Sequence, residues 1–132
     1  MKITVLGGGM VGSAIAKDLQ LSYGNITVAD FSEEVLSSIS AAGIATRQAD
    51  LTNINQLLNV IAGTDLVVGA VPGYMGFESA KTVIEAGKNY VDISFFPENP
   101  FVLQALAKIH GVIAFVDFGV APASSNLILG YH

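Results

Sequence analysis

The sequence predicts an α/β domain: a doubly wound parallel sheet of about six strands in the order 3-2-1-4-5-6, with helices on both faces. Three observations carry that expectation. Apolar runs of strand length recur about every 18 to 24 residues, and each interval holds one helix-length segment. Hydrophobic residues make up 52% of the 132-residue chain and charged residues 13%, a balance suited to strands buried on both faces. Glycine stands at most of the junctions.

The first strand covers residues 3–6. Gly7, Gly9 and Gly12 follow at the G-x-G-x-x-G spacing, and an apolar-faced helix runs on to a break at Gly24 and Asn25. Residues 26–29 form the second strand, closed by Asp30, which lies 18 positions after Gly12. Strand, glycine turn, helix, strand and acid in this order form the dinucleotide fingerprint of the Rossmann fold. The chemistry explains the spacing. A pyrophosphate needs donors, and a helix start offers free N–H groups and the positive end of the macrodipole. Gly7 permits the tight turn, Gly9 the close approach, and Gly12 the packing of helix on strand. Met10 and Val11 complete the turn. The plainer alternative is that the glycines only make a tight strand–helix turn. A secretory signal is a second alternative, with Lys2, the apolar run and Ala14-Ile15-Ala16 as a cleavage-like site. Glycines at 7, 8, 9 and 12 make a poor signal core, and cleavage would remove the first strand.

Asp30 also bears on cofactor choice. Its carboxylate can accept both adenosine ribose hydroxyls, whereas a 2′-phosphate about 4 Å away would meet a repulsion of roughly 4 kcal/mol at a surface-like dielectric. Phe31 and Ser32 follow rather than arginine, and Arg47 is the only arginine of the chain. The expected cofactor is therefore NAD, with NADP disfavoured.

The remaining elements follow in turn. Ser32 caps a helix with Glu33 and Glu34 in its first turn and Gly43 at its end. Residues 44–49 are the third strand, closed by Asp50. Asn53 and Gln56 make a capping box for a short helix reaching Ile61. Gly63 and Thr64 turn the chain into a fourth strand, residues 66–70. Residues 71–76 read as a loop, and a helix over 77–86 stops at Gly87. The fifth strand covers 90–93, and 94–97 is a loop. Pro100 is expected at the first position of a helix ended by Gly111. Residues 112–116 are the sixth strand, and 118–126 a loop leading to an apolar stretch, 127–129. His110 precedes Gly111, where a cation suits a helix C-terminus.

Ligands of such sheets bind beyond the carboxyl ends of the strands. The cofactor candidates are therefore Gly7, Gly9, Met10, Val11, Gly12 and Asp30, then Asp50 and Leu51 flanking the adenine, then Ala70, Val71 and Pro72 along the path to the nicotinamide ribose. Asp50 reads equally as a turn acid before a helix. Asp92 and Asp117 read first as acids that anchor a neighbouring loop. Tyr74 and Met75 either cover the cofactor or pack beneath the following loop.

Several function classes are excluded. The net charge is −5 and no Lys/Arg cluster exists, which argues against nucleic-acid binding. No apolar run approaches the roughly 20 residues of a membrane helix. The chain has no cysteine and only two histidines, so no metal site is expected. The lack of cysteine is compatible with a cytoplasmic setting.

The later segments narrow the field. They are residues 70–73, Ala-Val-Pro-Gly; residues 84–94, Ile-Glu-Ala-Gly-Lys-Asn-Tyr-Val-Asp-Ile-Ser; and residues 117–122, Asp-Phe-Gly-Val-Ala-Pro, with Ser125 and Asn126 downstream. Together they resemble the amino-terminal half of the saccharopine dehydrogenase family, within its lysine 6-dehydrogenase and saccharopine reductase-like branch. The resemblance implies an NAD(P)-dependent oxidoreductase acting on a C–N bond of lysine-derived or related amino acids, by amine oxidation to an imine or by reductive amination. It places the nicotinamide near Pro72, Ser94 and the Gly119–Pro122 loop, so that Ser94, Gly119, Pro122 and Asn126 join Tyr74 and Asp92, which stand at or just after the ends of their strands, as candidates at the nicotinamide and substrate end. It names no catalytic acid or base. It also implies a second domain carrying the amino-acid site and dimer surface, so this chain is expected to supply the cofactor half and to be inactive alone. Ala123 departs from the family's glycine and reads as the first residue of a helix bearing Asn126. Two other readings stand beside this one. A stand-alone NAD-sensing regulatory module, as found with channels and transporters, suits the first 50 residues but not residues 90–126. An S-adenosylmethionine methyltransferase lacks support from the regular six-strand pattern. Residues 127–129 with Phe95, Phe96 and Phe101 are expected to leave apolar surface uncovered, predicting a homodimer or weak self-association.

Overall fold

The computed structural model describes residues 1–94 and 96–116. The elements alternate: β1 (Ile3–Leu6), α1 (Met10–Tyr23), β2 (Ile26–Asp30), α2 (Glu33–Ala41), β3 (Ala45–Gln48), α3 (Ile54–Ile61), β4 (Leu66–Gly69), α4 (Gly73–Glu85), β5 (Asn89–Asp92), α5 (Phe101–His110) and β6 (Ala114–Phe115). The six strands form one sheet in the order β3-β2-β1-β4-β5-β6, and every pairing is parallel. β1 is central, with Ile3 in register with Ile26 on one side and Leu66 on the other. The order reverses at β1, so a crevice opens between the carboxyl ends of β1 and β4.

Each face of the sheet has its own core. Ile3, Val5, Ile26 and Val28 pack with Ala16 of α1 and with Leu36 and Ile39 of α2. Leu6, Val67 and Tyr90 pack with Leu57 of α3, Val83 and Ile84 of α4, and Leu103 of α5. Adjacent residues of a strand thus enter opposite cores, as the period of two requires. Full burial of one such Ile or Leu contributes about 1.5–3 kcal/mol. Among the described residues no helix is long and apolar enough to cross a membrane.

Local chemistry sets the helix ends. The Ser32 hydroxyl accepts the Val35 N–H at 3.3 Å, and Asn53 Oδ1 accepts the Gln56 N–H at 3.1 Å. Asn99 Oδ1 accepts the Phe101 N–H at 3.0 Å. Lys108 and His110 lie in the last turn of α5.

Four details depart from expectation. Residues 73–76 belong to α4 rather than to a loop: Pro72, extended at the N-cap, launches the helix four residues early, and Tyr74 and Met75 sit in its first turn. Gln56 does not close the capping box. Its Oε1 accepts the Asp50 N–H at 2.8 Å instead, tying α3 to the end of β3. Pro100 occupies the N-cap of α5, one position before the first helical residue. Phe96 is core rather than surface, at 7% exposure and edge-to-face with Phe77 at 5.7 Å between ring centres. Phe101 is exposed as expected, while Phe95 and residues 127–129 lie outside the described residues.

Candidate functional site

The turn between β1 and α1 forms the floor of the site. Gly9 takes the N-cap of α1, and no side chain caps that end. The N–H groups of Met10, Val11 and Gly12 therefore lack intrahelical partners. The three motif glycines are required for different reasons. Gly7 has φ +95°, and a Cβ there would stand 2.5 Å from the Ala70 carbonyl oxygen. A Cβ at Gly12 would overlap the Gly7 carbonyl oxygen. Gly9 has φ −64° and ψ −166°, which any residue adopts, and among the described residues its Cβ would meet nothing within 4 Å. Neither backbone strain nor packing against the described residues explains a glycine at position 9. A pyrophosphate fits there: it needs the free N–H groups, the positive helix end and a backbone without side chains.

The acids at the strand ends are held by their own loops. Asp30 Oδ2 accepts the Gly8 N–H at 2.7 Å, and Oδ1 accepts the Ser32 N–H at 2.8 Å. The carboxylate thus braces the glycine turn against the start of α2, with lone pairs left over for ribose hydroxyls. Asp50 Oδ1 accepts both the hydroxyl and the N–H of Thr52. These bonds, the hydroxyl first, hold the Asp50 carboxyl below the usual carboxylate range. Asp92 is fully buried. Its Oδ1 accepts the Ser94 N–H at 2.7 Å and the Ser94 hydroxyl at 2.6 Å, and its Oδ2 accepts the Tyr90 hydroxyl at 3.0 Å. Burial, and then the Asp92 charge, push the Tyr90 hydroxyl well above its usual value of 10.0.

Two adjoining clefts gather the candidates. One, of about 400 Å³, brings Gly7, Asp30, Asp50 and Leu51 together with Val71, Pro72 and Tyr74. The other, of about 420 Å³, runs over the start of α1 past Gly9, Met10, Val11, Gly12 and Ala70 and reaches Ile93 and Ser94. They share Gly7, Asp30, Val71 and Pro72. Asp92 lines neither cleft and acts behind Ser94, as the loop-anchoring reading expects. Arg47 stays outside both, with Nη1 donating to the Asn59 carbonyl at 3.3 Å. Gly119, Pro122 and Asn126, with Asp117, lie outside the described residues.

Sequence reasoning passed over Thr52 and the exposed ring of Phe31, both of which line the first cleft. A signal for Thr52 was present. Asp-x-Ser/Thr occurs at 30–32, 50–52 and 92–94, and in each case the acid accepts the N–H two residues on, an Asx turn at a strand end.

Comparison with known proteins agrees with the fold. Apo histidine-tagged saccharopine dehydrogenase (L-Glu forming) from Saccharomyces cerevisiae superposes with a TM-score of 0.79 at 22% identity, over 97% of this chain and 29% of that one. A probable dehydrogenase from Thermotoga maritima gives a TM-score of 0.74 at 19% identity, over 89% and 36%. GenD2 from gentamicin A biosynthesis, in complex with NAD, gives 0.66 at 23% identity, over 88% and 34%. These likenesses show the fold, and the chain spans about a third of the length of each structure. The family model for the saccharopine dehydrogenase NADP binding domain matches residues 3–115. That match opens on the first residue of β1 and closes on the last of β6, so it takes in the whole described sheet, and the chain belongs to the saccharopine dehydrogenase NADP-binding domain family.

Proposed function

We propose that this chain is the NAD-binding part of an oxidoreductase acting on a C–N bond of a lysine-derived or related amino acid, oxidising an amine to an imine or running the reverse reductive amination. Gly9 is the observation that carries the dinucleotide reading, because neither strain nor contact with the described residues asks for glycine there, and a bare backbone beside free N–H groups is what a pyrophosphate needs. Family membership supports the reaction class. The adenosine ribose lies on Asp30, and Asp50, Leu51 and Val71 flank the adenine. The pyrophosphate lies over Met10, Val11 and Gly12. Ala70, Val71 and Pro72 lead to the nicotinamide, near Tyr74 and Ser94, and Gly119, Pro122 and Asn126 are the remaining candidates for that end. The nicotinamide, when bound, supplies the hydride acceptor or donor. This chain binds and orients it, while the amino-acid site, the proton-handling groups and the dimer surface belong to a further domain of a cytoplasmic enzyme.

The choice of NAD rests on charge. The first cleft is lined by the carboxylates of Asp30 and Asp50 and, among the described residues, by no lysine or arginine. A 2′-phosphate there meets like charge, at roughly 4 kcal/mol for a 4 Å separation at an effective dielectric of 20. Calorimetric titration with NADH and NADPH tests both parts. Saturable NADH binding, at least about 10-fold tighter than NADPH, is expected. No NADH binding at millimolar concentration would remove the reading, and tighter NADPH binding would reverse the cofactor choice.

A further inference from the structure

At the carboxyl end of β5 three polar side chains lie buried in a row. Tyr90 and Asp92 are 0% exposed and Ser94 is 7% exposed. Two glycines make room for them. A Cβ at Gly69 of β4 would overlap the Tyr90 hydroxyl, and a Cβ at Gly76 of α4 would overlap the Ser94 hydroxyl. The row ends at the second cleft, which Ser94 lines together with Gly9, Met10 and Pro72.

The hydrogen-bond directions are fixed. A carboxylate only accepts, so the Ser94 hydroxyl spends its single proton on Asp92 Oδ1 at 2.6 Å. What remains on the Ser94 oxygen is lone pairs. We propose that Asp92 is a positioning residue that makes Ser94 a fixed hydrogen-bond acceptor for the carboxamide N–H of a bound nicotinamide. The inference rests on the dinucleotide reading. With the ribose acid at β2 and the pyrophosphate at the start of α1, the second nucleoside extends toward β4 and β5, where Ser94 lies. Ribose hydroxyls rotate to donate or accept, and a fixed acceptor does not select among them. A carboxamide has one end that only donates and one that only accepts. A fixed acceptor therefore sets which end faces the protein.

The test titrates the purified protein with NAD, ADP and 3-acetylpyridine adenine dinucleotide, in which a methyl group replaces the carboxamide NH₂. Wild type is expected to prefer NAD over the analogue about 5-fold, one net hydrogen bond. S94A is expected to lose that preference while binding ADP as wild type does. D92A, which takes away the acceptor of the Ser94 proton, is expected to lose it too. Equal wild-type affinity for NAD and the analogue overturns the proposal, as does a preference that survives in S94A. A parallel loss of ADP and NAD affinity in S94A also overturns it, since that marks a structural role. If D92A does not fold, S94A and the wild-type analogue titration decide. Failure of wild type to bind either NAD or ADP refutes the dinucleotide reading itself and the proposal with it, an outcome distinct from the others.

Discussion

Gly9→Ala separates binding from folding. The Cβ it adds meets no atom of the other described residues within 4 Å, its chain neighbours aside, and the backbone at φ −64°, ψ −166° accepts an L-residue. Two small terms act on stability. Replacing glycine at a compatible position stabilises by about 0.4–1 kcal/mol through the unfolded chain. Alanine is a poorer N-cap than glycine, by about 0.5–1 kcal/mol. They offset, so the melting temperature is expected to move by less than about 2 °C for a domain of this size. Binding behaves differently. The methyl group occupies the approach to the free N–H groups of α1 and keeps phosphate oxygens beyond the roughly 2.9 Å that a hydrogen bond needs. Losing two hydrogen bonds to a charged group, at about 1.5–3 kcal/mol each, lowers NADH affinity by about 10²–10⁴-fold. Calorimetry measures the affinity and a thermal melt the stability. Gly12→Ala is the contrast. Its Cβ overlaps the Gly7 carbonyl oxygen, so it destabilises the fold by about 1–3 kcal/mol, as overpacking does. If G9A binds NADH within 3-fold of wild type (against the ~10²-fold expected), or melts as low as G12A, the cradle argument is wrong.

Three further outcomes follow from the same geometry. D30N leaves one of the Gly8 and Ser32 N–H groups facing an amide donor, so urea denaturation is expected to show a loss of about 1–3 kcal/mol, with the preference for NAD over NADP narrowed in parallel titrations. Tyr90 keeps its proton in the fold above pH 10.0, where the unfolded chain loses it. The folded state then holds more protons, and stability falls with rising pH by up to about 1.4 kcal/mol per unit. Below pH 10 the contribution is flat, and Y90F removes the slope in denaturation series run across that range. Gly69→Ala drives a Cβ into the Tyr90 hydroxyl and is expected to destabilise by about 1–3 kcal/mol. The double variant G69A/Y90F is expected to be less destabilised than the sum of the two single variants; strict additivity in that cycle would refute the contact.

The strand order and the glycine turn that opens α1 are legible because both rest on short-range signals. The period of the apolar runs places six strands, and the glycine spacing with Asp30 orders the first three elements. The errors fall where tertiary contacts override local preference. Pro72, Gly73 and Gly76 spell a turn by propensity. Residues 73–76 are helical because α4 packs onto β5, and Gly76 is there to admit Ser94. The sequence pairs Gln56 with Asn53, but the Asp50 N–H is the donor its side chain reaches in three dimensions. Asp92 was seen as an anchor, yet its link to Tyr90 needed the observation that both sit over Gly69. Phe96 reads as surface from its loop position, and its burial comes from tertiary contacts, the ring of Phe77 and the close approach to Gly76 among them.

The repeated Asx turn at Asp30, Asp50 and Asp92 has a kinetic consequence. Each closes through a bond between residues two apart in the chain, so the rim of the crevice takes shape with each βα unit and does not wait for long-range contacts. The ordering entropy of that rim is settled during folding and not at encounter with a ligand. Association is therefore expected to meet a rim already formed. Stopped-flow traces are expected to be single-exponential and linear in cofactor concentration, without the plateau that a slow closing step imposes.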